Sequence, residues 1–350
     1  MADREPGAPM TWRGWTYARA GVDIDRKSRA IESLVGRLRY RRKGGARMME
    51  IMGQFTGMVE LGDMAMTLCT DGVGTKLLVA EALDKWDTVG IDCIAMSVND
   101  TICVGAEPVA LVDYLAMDRP DERITESIGK GLNRGARRAN IDIVGGEVAI
   151  IPELVKGVDL SASCLGLVKK SRIIDGRGIE VGDAIIGIRS SGVHSNGLTL
   201  ARRVLRGGEV DYDDSFEGSG RTVGEELLIP TEIYVKKVLR LLRSCPVKGM
   251  VNVTGGGLRN FVRLRKDVMF RIDRPFRPQP IFRLIAELGS VEAREMYQTF
   301  NMGMGFAIVC PDERKKKAVE ILGEGARVVG EVAEGSGVCA PTMGLSYDSY

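Results

Sequence analysis

The sequence predicts a two-domain α/β protein from three observations. Short apolar runs alternate with helix-period stretches along most of the chain, a polar, glycine-bearing break interrupts that alternation near residue 169, and 350 residues exceed one comfortable core. Hydrophobic residues make up 44% of the chain and charged residues 27%, which is enough apolar side chain to fill two cores. The 49 basic and 47 acidic residues nearly cancel, so no overall field draws in nucleic acid or an acidic membrane, and an anionic ligand has to be held by a local site. The sequence has no apolar run long enough to span a bilayer, and its first residues lack the apolar core of a signal peptide; a cytoplasmic protein is expected. Seven cysteines, odd in number and without a CxxC pair, read as reduced and mostly packed in the interior.

Residues 1–15, rich in Pro, Gly and charge, read as a loose tail, and order is expected from near Trp15. In the first domain, 16–168, strands are expected at 65–70, 109–116, 141–145 and 158–168, and helices at 88–104 and 121–140. The break at Lys169-Lys170-Ser171 and Asp175-Gly176-Arg177-Gly178 opens a second domain, 169–350. There, strands are expected at 184–188, 268–272 and 305–309, with helices at 222–242 and 278–288. The basic run Arg314 to Lys317 reads as a solvated helix start.

Three acidic constellations lie in the first half. Thr70-Asp71-Gly72-Val73-Gly74-Thr75-Lys76 follows an apolar strand, so it can present Asp71 to a metal and Lys76 to a phosphate, although a plain connecting turn reads equally well. It lacks P-loop spacing. The helix at 88–104 carries Asp92, Asn99 and Asp100 close to one edge, beside packing residues Ile91, Ile94, Val98 and Ile102; exposed polarity is the alternative. Val144-Gly145-Gly146-Glu147 reads as a strand delivering an acid to a glycine loop. Together the three favour a magnesium–nucleotide site, because hard oxygen donors and phosphates suit Mg²⁺.

Two further loops are suited to anions. Ser190-Ser191-Gly192-Val193-His194-Ser195-Asn196-Gly197 leads into a helix at about Leu198 and holds the single histidine of the chain. Asn252-Val253-Thr254-Gly255-Gly256-Gly257 forms a nest-like turn after a short strand. Phe300-Asn301-Met302-Gly303 enters a strand through a bulge or a ligand-facing turn.

Taken in order, these motifs resemble the aminoimidazole ribonucleotide synthetase family, the phosphoribosylformylglycinamidine cyclo-ligases, over roughly residues 15–335. Tyr17 to Asp25, Thr70 to Lys76, Val98-Asn99-Asp100 with Gly105 to Pro108, Val144 to Glu147, Ser190 to Gly197, Leu228 to Thr231 with Ile233 to Lys236, Thr254 to Gly257 and Phe300 to Gly303 carry the likeness. Asn252 stands where many members have histidine, Ile150 where an acid often follows, and the early glycine segment is reduced to Gly53-Gln54-Phe55-Thr56-Gly57. The resemblance implies first domains that pair into a barrel across a homodimer, a C-terminal α/β sandwich domain, and ATP-dependent closure of formylglycinamidine ribonucleotide to aminoimidazole ribonucleotide. It further implies that Asp71, Asn99, Asp100 and Glu147 hold Mg²⁺, with Gly72, Gly74, Thr75, Lys76, Asp92 and Gly146 around ATP. Ser191, Gly192, His194, Ser195, Asn196, Thr254, Gly255, Gly256 and Gly257 take the substrate, and His194, Asn252 and Lys76 serve the chemistry. A sibling kinase or dehydratase with the same ATP site, or a non-catalytic nucleotide-binding subunit, are the rival readings.

Overall fold

The computed structural model describes residues 14–49 and 55–350. Residues 1–13 of the tail expected over 1–15, and Gly53 and Gln54 of the reduced glycine segment, lie outside the described residues. In chain order the first half comprises α1 (Ile24–Val35), β1 (Met48–Met49), β2 (Gly57–Leu61), β3 (Met64–Gly72), α2 (Leu77–Ala82), α3 (Val89–Ile102), β4 (Glu107–Met117), α4 (Glu122–Ala139), β5 (Asp142–Ile150) and β6 (Val158–Lys169). The second half comprises β7 (Ala184–Arg189), α5 (Leu198–Gly207), the hairpin β8 (Ser215–Phe216) and β9 (Arg221–Thr222), α6 (Val223–Leu227), α7 (Val235–Leu242), β10 (Gly249–Asn252) and β11 (Met269–Arg271). It ends with α8 (Pro280–Gly289), α9 (Ala293–Thr299), β12 (Met304–Cys310), α10 (Lys315–Leu322), β13 (Ala326–Ala333), β14 (Gly337–Ala340) and β15 (Leu345–Tyr347).

The first sheet has the order β1-β2-β3-β6-β4-β5 and is antiparallel except for β4 beside β5. Its inner face is covered by α3, which is buried along nearly its whole length, and α4 packs on α3. The α3–α4 crossing is close because Gly90 and Gly131 meet there: a methyl group on Gly90 would overlap the Leu132 amide, and one on Gly131 the Asp87 carbonyl. Asp121 caps α4 by accepting from the Ile124 N–H, and Asn140 ends it in the left-handed conformation, as the periodicity and the turn residues require.

The other face of this sheet is open. Leu68, Val112 and Tyr114 stand exposed on it, and Glu147 of the edge strand β5 shares this face through its pairing with Tyr114.

The second sheet has the order β10-β12-β7-β13-β11-β14-β15. Its central strands β7 and β12 are apolar and almost wholly buried, which fits their continuous apolar sequence. One hydrophobic core runs through both halves of the molecule, with α7 lying against α3 and α4.

Two expectations are corrected. The helix expected over 222–242 is broken into α6 and α7, because Pro230 cannot continue it and the backbone of 229–234 is bonded to side chains of the first half. The strand expected to stop at Gly145 continues to Ile150, so Gly146 and Glu147 lie within β5 rather than in a loop. A register shift between Leu111 and Val112 accommodates the glycine pair. All seven cysteines are free, six of them buried, and among the described residues no helix is long and apolar enough to cross a membrane.

Candidate functional site

The strand order and the direction of α3 bring Asp71, at the end of β3, and Asp100, near the end of α3, to one cluster. Asp71 accepts from the Gly72 N–H at 2.7 Å, and burial raises its carboxyl above the usual range. Asp100 is pushed up to about 7, chiefly by burial, with the Asp71 charge adding to the rise. Asn252, at the end of β10 in the second half, donates its amide to Asp100 Oδ1 at 2.7 Å. Two cations reach this cluster electrostatically: Lys27 on α1 favours ionised Asp71, and Arg263 favours ionised Asp100. The Arg263 guanidinium lies 4.0 Å from the Phe55 ring centroid and 4.9 Å from that of Tyr350. Neither cation was singled out from the sequence. The position of Arg263 two turns past the triple glycine was the available signal.

A wall of the second half faces this cluster. In the 190–197 loop, His194 sits at φ +63° and its Nε2 accepts from the Ser191 N–H at 3.2 Å, which leaves the ring proton on Nδ1. Burial and the nearby Lys76 charge lower its pKa to about 3, so the imidazole is neutral throughout the physiological range. Asn301 donates to the Gly192 and Val193 carbonyls at 2.9 and 3.2 Å, and Gln279 donates to the Ser190 carbonyl at 2.6 Å, which fixes the loop from behind. Gly255 lies directly against the Asn196 carboxamide, so the 190–197 and 254–257 turns adjoin. Gly257, at φ +51°, presses against the Tyr297 and Phe300 carbonyls, where no Cβ fits.

Four of the residues expected around the metal and ATP, Lys76, Asp92, Asn99 and Glu147, have the following surroundings. Lys76 is completely buried, and its ammonium donates to Asp92 Oδ1 at 2.9 Å and the Ile229 carbonyl at 2.7 Å; burial lowers its pKa against the opposing pull of Asp92. Asp92 itself is buried in this ion pair. The Asn99 amide is used up at both ends, donating to the Glu232 carbonyl at 2.8 Å and accepting from the Tyr234 N–H at 3.0 Å. Spacing on a helix placed these side chains on one edge, but did not say that the second domain would occupy that edge. Glu147 is exposed and pairs with Tyr114, which pairs with Ser161 and, through it, Gly72. It therefore lies on the open face, opposite to Asp71 and about 14 Å away across three strand spacings. Thr75 meets Thr199 at 3.0 Å, while Gly74, at φ +68°, and the strand residue Gly146 are exposed. Among the described residues no three His, Cys, Asp or Glu side chains converge as a metal cluster.

The chain matches the family described as AIR synthase related protein, N-terminal domain, over residues 53–168, and the corresponding C-terminal domain over 180–339. Phosphoribosylformylglycinamidine cyclo-ligase of Methanocaldococcus jannaschii is 48% identical over 325 residues, covering 91% of this chain and 92% of the relative. That of Methanosarcina mazei is 44% identical over 326 residues, covering 93% and 97%. Among solved structures, AaThiL complexed with AMPPCP and TMP superposes with a TM-score of 0.61 at 18% identity, over 91% of this chain and 93% of that one. The hydrogenase maturation protein HypE in complex with ATP superposes with a TM-score of 0.57 at 17% identity, over 79% and 78%. These two likenesses show the fold. With both domains matched and relatives of this identity over nearly its whole length, the chain belongs to the phosphoribosylformylglycinamidine cyclo-ligase family, the ATP-dependent enzymes that form aminoimidazole ribonucleotide in purine biosynthesis.

Proposed function

We propose that the cyclo-ligase reaction is carried out between the carboxylate cluster Asp71–Asp100 and the paired turns 190–197 and 254–257, in a homodimer whose second copy supplies Glu147. The observation that carries this reading is the hydrogen bond from Asn252 to Asp100, which joins the two walls at the point where the carboxylates crowd. ATP phosphorylates the formyl oxygen, turning a poor leaving group into phosphate; the ribosyl-bearing nitrogen then attacks the formyl carbon, and phosphate and a proton leave as the ring closes. Such a reaction needs alignment and charge neutralisation more than a strong nucleophile.

The donor set fits Mg²⁺. Asp71 and Asp100 are hard oxygen donors held so close that burial and mutual repulsion lift the Asp100 pKa to about 7, and a dication relieves both costs. These two carboxylates would hold the ion, which when bound offsets phosphate charge. Asn252 orients Asp100. His194, neutral and with its proton on Nδ1, offers a hydrogen bond to the formyl oxygen or to phosphate rather than an imidazolium proton. The backbone amides of Gly255 and Gly256 suit the substrate phosphate, while the Gly257 N–H closes the turn on the Thr254 carbonyl at 2.8 Å. Lys76 and Asn99, committed to the second domain, support the wall and do not meet the triphosphate in this state.

Pairing through the open sheet face would bury Leu68, Val112 and Tyr114 and carry each Glu147 toward the partner's nucleotide. The purified protein with formylglycinamidine ribonucleotide, ATP and Mg²⁺ tests the whole reading. Aminoimidazole ribonucleotide and ADP in equal amounts support it; a stable phosphorylated nucleotide would instead make the chain a kinase.

A further inference from the structure

The segment Ile229 to Tyr234 between α6 and α7 is neither helix nor strand, yet both halves of the molecule bond to it. From the first half, Lys76 donates to the Ile229 carbonyl, Asp92 accepts from both the Thr231 N–H (2.8 Å) and the Thr231 hydroxyl (2.6 Å), and Asn99 holds the Glu232 carbonyl and the Tyr234 N–H. From the second half, the Ser191 hydroxyl donates to the Pro230 carbonyl at 2.6 Å, and the Tyr234 hydroxyl donates to the Arg189 carbonyl at 3.1 Å. Ser195, in the substrate turn, donates to the same Asp92 oxygen at 3.1 Å.

Asp92 Oδ1 therefore accepts four donors, while Asp92 Oδ2 is buried with no hydrogen-bond partner among the described residues. An orphaned carboxylate oxygen in the interior costs stability, so this arrangement is not the one that best stabilises the fold. What the single shared oxygen does achieve is a fixed relation among three pieces: α3, which carries Asp100 two turns further on; the 229–234 segment; and the 190–197 turn.

We propose that Asp92, acting through Thr231 and Ser195, is a positioning residue of the cyclisation: it sets the reach of the substrate turn to the Asp71–Asp100 cluster, with Lys76 as its buried counter-ion. The inference rests on the cyclo-ligase reading. Loosening the link lets the 190–197 turn shift while Asp71 and Asp100, held by β3 and α3, stay in place. The penalty should thus fall on the nucleotide substrate and not on ATP.

Thr231→Val removes the hydroxyl donor while keeping shape and the backbone N–H, and Thr231→Ser restores it. Steady-state kinetics on both, with KM determined separately for formylglycinamidine ribonucleotide and for ATP, should show Thr231→Val losing about 5- to 20-fold in kcat/KM for the nucleotide. Its KM for ATP should stay within about twofold, and Thr231→Ser should lie close to wild type. Ser195→Ala, a milder change to the same oxygen, should show the same selective loss, and it serves if Thr231→Val does not fold. Wild-type kinetics in folded Thr231→Val and Ser195→Ala, even with a lowered Tm, would overturn the proposal, and so would equal losses for both substrates. A wild-type protein that forms no aminoimidazole ribonucleotide refutes the reading beneath it instead.

Discussion

Asn252, where the family resemblance leads to an expectation of histidine, donates its amide to Asp100 Oδ1. An amide positions but cannot titrate near neutrality. Asn252→Ala is expected to lose roughly 1–3 kcal/mol of transition-state stabilisation in kcat/KM, the cost of removing a partner from a buried polar group, whereas Asn252→His stays active. On the proposed reading, Asp71→Asn and Asp100→Asn should each cut turnover at least about a hundredfold at saturating Mg²⁺ while keeping their circular dichroism spectra, because each removes charge that the phosphoryl transfer would need. The same cluster sets a pH dependence in the metal-free protein. The folded pKa of Asp100 is raised to about 7 from an ordinary 3.8, so the native state binds the proton more tightly than the unfolded chain. That stabilisation is fully present below the unfolded value and is lost as pH rises from near 4 through about 7; partial solvent contact limits it to on the order of 2–3 kcal/mol. In EDTA the melting temperature of the wild type relative to that of Asp100→Asn should fall between pH 5 and 8, and Mg²⁺ should stabilise the wild type more at pH 8 than at pH 5. His194 acts in the opposite sense: its folded pKa of about 3 lies below the unfolded 6.5, so its contribution is lost as pH falls below about 6.5, and the Asp100 effect is read as the difference between wild type and Asp100→Asn.

At the scale of elements, α3 and α4 were legible because their apolar period is clean and Asp121 and Asn140 mark the ends of α4. What the period could not reveal is how close the two helices come. Gly131→Ala should raise intrinsic helix propensity by up to about 1 kcal/mol, yet its methyl group meets the Asp87 carbonyl and the Gly90 backbone. Overpacking of 1–3 kcal/mol or more outweighs the gain, so urea unfolding should show a net loss of about 1–3 kcal/mol. Gly129→Ala on the same helix, with open space at its Cβ, serves as the control and should be neutral or stabilising. The broken helix at 228–234 teaches the converse lesson: Pro230 signalled an interruption, but only the side chains of Asp92 and Asn99 show why the segment runs where it does.

For the whole molecule, the open face of the first sheet is the feature a lone chain does not resolve. Leu68 and Val112 are 51% and 42% exposed on a sheet whose other face carries α3 over its central strands, and apolar area of this kind is stabilised by a partner. Light scattering at micromolar concentration is expected to give twice the 38.1 kDa chain mass, and Val112→Asp to give the monomer with loss of turnover, since Glu147 then no longer reaches a nucleotide. A wild-type monomer that retains full turnover would separate Glu147 from the site.

The sequence by itself determined the α/β class, the main strands and helices, and where the acidic and glycine-rich turns fall, because periodicity, capping and turn chemistry are local and each leaves a mark within a few residues. Only the tertiary structure decided which polar side chains are already bonded to other protein groups. Asp92 and Asn99 offer oxygen acceptors as Asp100 does, but they and Lys76, in the turn before α2, are bonded to the second half of the chain, while Asp100 lies just beyond, opposite Asn252. A side chain's capacity to bind is written in its type; whether a protein group has already satisfied it depends on what packs against it from more than a hundred residues away.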